Sequence, residues 1–174
     1  MARLAGTAVS ISMPVPVDTQ VAVFRNIWKL DRNVDGAKEM TLGIVYQENY
    51  ADSVAAKDDF IAAMAKQNLR VTIVSIESST DDRLSKRLHD VEADVIYVAP
   101  LRAVDVSAIG RISRFRRMRT ITGVPEYVEQ GLAVGVGIRK DRPLIIVNLE
   151  QSRAEGSSFS SQLLALARIV GPVQ

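Results

Sequence analysis

The 174-residue sequence predicts an α/β fold: a mainly parallel sheet flanked by helices on both faces, with a C-terminal antiparallel hairpin and a closing helix. Three observations carry that expectation. Short runs rich in β-branched residues alternate with stretches of helical period, the pattern of a parallel sheet covered on both sides. Late in the chain, Leu132 to Ile138 and Pro143 to Val147 flank Arg139-Lys140-Asp141-Arg142, a polar loop of the length that joins antiparallel strands. A Ser-rich and then Leu-rich segment follows with apolar residues at helical spacing.

Each element has its own signal. Pro16 and a cap at Asp18 or Thr19 begin a helix over Gln20 to Leu30, with Val21, Phe24 and Trp28 on one side and Val23, Ile27 and Leu30 beside them. Asn33, Asp35 and Gly36 make a turn, and Met40 to Tyr46 is a short apolar run bounded by polar residues, as expected of a buried strand. A helix over Ser53 to Gln67 turns Ala56, Phe60, Ala63 and Met64 to the core, and Asn68 ends it. Leu69 to Ile76 is the second strand, followed by polar residues and a short charged helix to Asp90. Ala93 to Ala99 is the third strand, stopped by Pro100.

Asp105 to Met118 repeats Val106, Ile109, Ile112, Phe115 and Met118 at helical spacing, and Ile121 with its neighbours makes a brief fourth strand. After Val124-Pro125 a short helix runs to Gln130 before the hairpin. The closing helix is expected over Ser157 to Val170, with Leu163, Leu166, Ala167 and Val170 on one face and Gly171-Pro172 as its stop. Residues 1–17, broken by Pro14 and Pro16, read as a flexible arm that supplies a secretory signal only poorly, and residues 18–174 read as one domain.

Composition narrows the function. Apolar residues are 47% and charged residues 24%, ordinary globular usage, and no run approaches the roughly 20 apolar residues needed to span a bilayer. A formal charge of +2 is too small for a general nucleic-acid binder. Cysteine is absent, which excludes thiolate chemistry, disulfides and cysteine-based zinc sites.

The candidate sites each have a plainer explanation. Arg111, Arg114, Arg116, Arg117 and Arg119 offer guanidinium forks suited to phosphate, carboxylate or an acidic protein face, or else form the solvated side of an amphipathic helix. His89 is the only histidine and reads as a surface residue. Asp58-Asp59 and Asp81-Asp82 are adjacent in sequence, so their side chains diverge on a helix and suit caps better than acid and base roles. Gly135-Val136-Gly137 lies within a strand-like run, outside the strand-to-helix context of a dinucleotide fingerprint. Neither a phosphate-binding Gly-Lys-Ser nor a nucleophile elbow occurs. Ser157, Ser158, Ser160 and Ser161 read as cap and first-turn residues. Phe24 and Trp28 suit the core equally with a partner-binding face, and exposure of Val23 and Ile27 would suggest dimerisation. No cofactor, metal or nucleic acid is implied.

The C-terminal string IIVNLEQSRAEGSSFSSQLLALARIV resembles the end of the YfiR-like (YfiR/HmsC) family, in which a strand ends in Asn-Leu, a helix carries an Arg, a Gly follows and a Ser-Ser-x-Leu-Leu helix closes the domain. The matching positions are Asn148, Leu149, Arg153, Gly156, Ser160, Ser161, Leu163 and Leu164. ITGVPEYVEQG, Ile121 to Gly131, is similar to the segment before that family's hairpin, and FRNIWKL, Phe24 to Leu30, to its first helix. Leu132 departs from the family's second Gly, and the Trp-Pro after the first helix is missing. The resemblance implies a non-enzymatic periplasmic regulator, often dimeric, that restrains a membrane-bound diguanylate cyclase and so tunes cyclic di-GMP and biofilm behaviour.

On that basis Ser160, Ser161, Gln162 and Arg168 are the expected partner-facing residues, with Arg114 and Arg117 as secondary ones. The alternative is a small-ligand sensor, whose crevice at the carboxyl ends of the first three strands would be lined by residues such as Gln47, Ser78 and Arg102.

Overall fold

The computed structural model describes residues 12–78 and 81–171. The chain alternates α1 (Val17–Lys29), β1 (Met40–Tyr46), α2 (Ala51–Ala65), β2 (Val71–Glu77), α3 (Asp81–Asp90), β3 (Val95–Val98), α4 (Val106–Arg116) and β4 (Arg119–Thr122). It continues through α5 (Glu126–Glu129), the hairpin β5 (Val134–Arg139) and β6 (Arg142–Asn148), then α6 (Leu149–Ala154), α7 (Ser161–Leu166) and β7 (Arg168–Val170). Among the described residues these strands form one sheet in the order β2-β1-β3-β4-β5-β6-β7. The pairs from β2 to β5 are parallel, β5 and β6 are antiparallel, and β7 adds parallel to β6.

The two-residue period of the strands divides the core. Leu42, Ile44, Val95 and Tyr97 face the layer of α1, α2 and α7, where Phe24, Ile27, Trp28, Phe60 and Leu163 are buried. Val45, Ile76, Ile96 and Val98 face α3 and α4, packing with Leu84, Leu88, Val106 and Ile109. Phe60 stacks on Tyr97 at a centroid distance of 3.9 Å, and Phe24 meets the same ring edge-on at 6.4 Å. Trp28 and Ile27 thus belong to the core, and the exposed first-helix patch that would suggest dimerisation does not form.

Three expectations need correction. The closing helix does not run from Ser157 to Val170. Gly156 has φ +99°, which turns the chain away from helix, and Phe159 makes an isolated antiparallel bridge with Asp31. Ser160 is the true cap, accepting from the amide of Leu163 at 3.2 Å, and only α7 follows. Ala167 is already extended and Arg168-Ile169-Val170 joins the sheet, so Leu166 is exposed instead of lying on a core face. The expected stop at Pro172 lies outside the described residues.

The helix expected to reach Met118 ends at Arg116, because Arg117 takes the left-handed conformation at φ 55° and reverses the chain. Arg119 therefore belongs to β4 and not to a basic helix face. Of the arm expected over residues 1–17, residues 1–11 lie outside the described residues; Val15 is buried, and Val17 opens α1. The Val15 carbonyl accepts from Gln20 Nε2 at 2.8 Å, which ties this part to the core.

Candidate functional site

The C-terminal string that carries the resemblance folds around a buried polar junction. Asp31, just past α1, has a fully buried side chain, and Arg119 at the start of β4 donates to it through Nε at 3.0 Å. The same carboxylate accepts the amides of Asn33 at 2.9 Å and Ser158 at 3.0 Å. Burial raises the Asp31 carboxyl, but the Ser158 and Asn33 amides, then Arg119 and Ser157, more than offset it and hold the group below its ordinary value. Arg119 Nη2 also donates to the carbonyls of Asn33 and Gly156, so one guanidinium joins α1, β4 and the turn after α6.

Beside it, Glu155 is completely buried. Its carboxylate accepts the Thr120 amide at 2.9 Å, the Thr120 hydroxyl at 2.7 Å and Gln151 Nε2 at 2.8 Å. Burial pushes this carboxyl up to about 8, against the pull of those donors and of Arg119. Gln151 also donates to the Gly110 carbonyl and accepts Arg114 at Nε (3.1 Å) and Nη2 (2.8 Å), which extends the junction to the surface of α4. Gly110 is needed there, since a Cβ would meet the Gly131 carbonyl oxygen at 2.5 Å. Asn148 caps α6 by accepting the Gln151 amide at 3.0 Å. These groups are spent on one another, so the junction fixes surfaces and presents no substrate-accessible acid.

The expected partner-facing residues fall into two groups. Arg114 and Arg117 are exposed at the end of α4, with Arg114 also 3.9 Å from Glu150 and the Arg117 guanidinium beside Gly156. Ser161 and Gln162 are exposed at the start of α7, whereas Ser160 is half-buried by its capping role. Arg168 lies on β7 and pairs with Glu129 of α5 at 3.3 Å, apart from the helix where the sequence placed it. Leu166 and Ile169 are exposed beside it. The remaining arginines are ordinary surface groups: Arg111 pairs with Asp105 at 3.3 Å, and Arg116 is exposed. His89 is exposed against the edge of Phe115.

A second feature lies at the carboxyl ends of β1 and β3, where crossovers leave in opposite directions and α/β sheets present a crevice. Gln47 donates through Nε2 to the Arg102 carbonyl at 2.8 Å and accepts the Arg102 amide, clamping the two loops together. Arg102 lays its guanidinium over Tyr50 at 4.0 Å from the ring centroid. With Asn49 and Ala103 they enclose a crevice of about 320 Å³. Ser78 is not part of it, because its hydroxyl and amide both bond the Tyr46 carbonyl and stitch β2 to β1.

No direct signal in the amino-acid pattern marks Asp31, Gln151 or Glu155 as interior residues. Their mark is visible only afterwards: Gln151 and Glu155 are polar residues within the C-terminal family string, and Asp31 directly follows Phe24 to Leu30. Among the described residues there is no group of three or more side chains fit to hold a metal, and no helix is long and apolar enough to cross a membrane.

Fold and site together define an open α/β domain whose buried polar groups join α1, β4, α4 and α6. A family model described as YfiR/HmsC-like matches residues 20–168, and the chain belongs to that family. No curated protein matches the chain. Among solved structures, the ABC domain in complex with L-Trp from Streptococcus pneumonia is similar at 13% identity and TM-score 0.70, covering 89% of this chain and 62% of that one. A conserved domain protein from Vibrio cholerae shares 13% identity at TM-score 0.67, covering 90% and 60%. The substrate binding protein CD0873 from Clostridium difficile shares 16% at TM-score 0.64, also covering 90% and 60%. These likenesses establish the fold, and the chain spans about three fifths of the length of those proteins.

Proposed function

We propose that this protein is a periplasmic regulator that binds and restrains a membrane-bound signalling protein, a diguanylate cyclase, and thereby tunes cyclic di-GMP signalling. Membership of the YfiR/HmsC-like family over residues 20–168 carries the reading. The mechanism is differential binding: the domain binds the off state of its partner more tightly than the on state, and the difference sets the shift. The junction around Arg119 and Glu155 supports it by tying α4, α6 and the approach to α7 to one another through buried hydrogen bonds. Ser160, Ser161, Gln162 and Arg168 form one arm of the proposed interface, and Arg114 with Arg117 the other; a homodimer presents both arms twice.

The test is capture from membranes of the source organism, with the purified domain as bait and mass spectrometry as readout. A membrane cyclase is expected in the wild-type eluate and should be depleted at least tenfold by the double charge reversal Arg117→Glu/Arg168→Glu. Undiminished capture by that variant overturns the interface, and failure of a folded bait to retain any membrane signalling protein overturns the function.

The crevice closed by Gln47 and Arg102 favours a second reading, a small-ligand sensor. Arg102 and Asn49 would meet the ligand, because both ends of the Gln47 amide are occupied. A metabolite that raises the melting temperature of the wild type but not of Arg102→Ala supports it; equal shifts in both place the ligand elsewhere.

A further inference from the structure

Opposite that crevice, at the amino-terminal ends of β1 to β4, lies a larger cavity of about 580 Å³, within the range of small-molecule sites. Its apolar surface comes from Trp28, Met40, Leu69 and Val71. Five cations line it: Arg25, Lys29, Lys38, Arg70 and Arg119. Three carboxylates also line it, and each is engaged: Asp94 accepts the Thr41 amide at 2.8 Å, Glu39 the Thr72 hydroxyl at 2.7 Å and Asp35 the Ala37 amide at 2.9 Å.

The cations are less satisfied. Arg119 is committed to Asp31, but Lys29, Lys38 and Arg70 have no hydrogen-bond or ion-pair partner for their side chains among the described residues. Arg25 donates through Nη1 to Gln67 at 3.0 Å, yet its Nε is buried with no acceptor among the described residues. Unpaired cations on a cavity wall call for an anion, and an oxyanion in the cavity supplies the acceptor for Lys38 and Arg70 with Arg25 beside them. An inorganic ion alone would leave the half-buried apolar side chains of Met40, Leu69 and Val71 facing water.

We propose that this cavity binds a small organic monoanion with an apolar body, its charged end held by Arg25, Lys38 and Arg70 and its apolar part laid on Met40, Leu69 and Val71 beside the largely buried Trp28. The site is separate from the crevice at Arg102 and does not depend on the partner interface. Trp28 is the only tryptophan of the chain, so its fluorescence reports on this cavity. Titration with 4-phenylbutyrate and with decanoate, against neutral 4-phenylbutyramide, is the experiment.

At least one of the anions is expected to perturb Trp28 emission saturably, with a dissociation constant below about 1 mM, and the amide to bind at least tenfold more weakly. Arg70→Gln should weaken the anion about tenfold; Arg70 is exposed and its side chain holds no partner, so this variant keeps the fold. Arg25→Gln should do the same, and Arg102→Ala should leave binding unchanged. The proposal is overturned if neither anion perturbs Trp28, if the amide binds as well as the anion, or if Arg102→Ala abolishes binding while Arg70→Gln does not.

Discussion

The parallel centre of the sheet and the junction joining α1, β4 and α6 are both buried, yet different interactions hold them. In the centre, Leu42, Ile44, Phe60 and Tyr97 fill space with apolar surface on a strict two-residue and helical period. At the junction, Asp31, Arg119, Thr120, Gln151 and Glu155 sit in the interior because each has a specific partner. The first arrangement tolerates changes that conserve volume, whereas the second fails when one partner is lost and the other stays buried.

Arg119→Met should expose that asymmetry most strongly. It leaves the Asp31 carboxylate buried with two amides but no cation, and breaking a buried pair in this way costs about 3–5 kcal/mol. For a domain of this size that corresponds to a fall in melting temperature of roughly 6–20 °C. The double variant Asp31→Leu/Arg119→Met should recover much of the loss, because no isolated charge remains. A single-variant fall of under 2 °C by calorimetry would mean that the pair is not what holds the junction.

The pH dependence of stability separates the two acids of the junction. Glu155 is raised to about 8 in the folded protein from an ordinary 4.5, so between those values the folded state holds a proton that the unfolded chain has released. Stability from this group is therefore full at low pH and falls as pH rises through the window, by at most about 1.4 kcal/mol per pH unit. Asp31 has the opposite sign: its carboxyl is depressed, so its contribution is full above the unfolded value of 3.8 and lost as pH falls below it. Denaturant melts of the wild type at pH 5 and pH 7.5 should show lower stability at the higher pH, and Glu155→Gln should flatten that slope. Gln is the neutral isostere of the protonated acid, so the slope and not the absolute stability of the variant is the diagnostic quantity. An unchanged slope would show that Glu155 titrates at its ordinary value.

The same contrast explains what could be read from the sequence. Met40–Tyr46 was legible to the residue because β-branched and apolar residues bounded by polar ones have few alternative fates in a covered sheet. The alternation of strands and helices and the β5–β6 hairpin followed from similar patterns. The segment after Asn148 was not legible from periodicity, since Leu163, Leu166, Ala167 and Val170 fit a helical face although the chain leaves helix at Ala167. Tertiary contacts decided there: the turn at Gly156, the Asp31 bridge at Phe159 and the open edge of β6, which accepted Arg168-Ile169-Val170. The family string nevertheless placed a helix around Arg153 and Ser-Ser before the last one, as α6 and α7 have it. For the candidate sites, Gln47 and Arg102 followed from the rule that crevices form at strand ends. The interior role of Asp31 and Glu155 did not, because a carboxylate bound by donors distant in sequence looks like any surface acid in one dimension.

The smallest effect is expected where packing alone acts. Ile44→Val removes one methylene from a fully buried position against the α1 and α2 layer and touches no hydrogen bond. The cost should be about 1 kcal/mol, with no change in its pH dependence. Thr120→Val, a change of similar size at the junction, makes the control: the hydroxyl donates to Glu155 at 2.7 Å and accepts the Ala133 amide at 2.8 Å, so its loss leaves two buried groups short of a partner and should cost more, about 1–3 kcal/mol. Denaturant melts of the two variants under one buffer decide the matter. Equal losses would mean that the junction, for all its hydrogen bonds, is held by packing like the rest of the core; a larger loss for Thr120→Val would confirm that the C-terminal quarter owes its shape to satisfied polar groups.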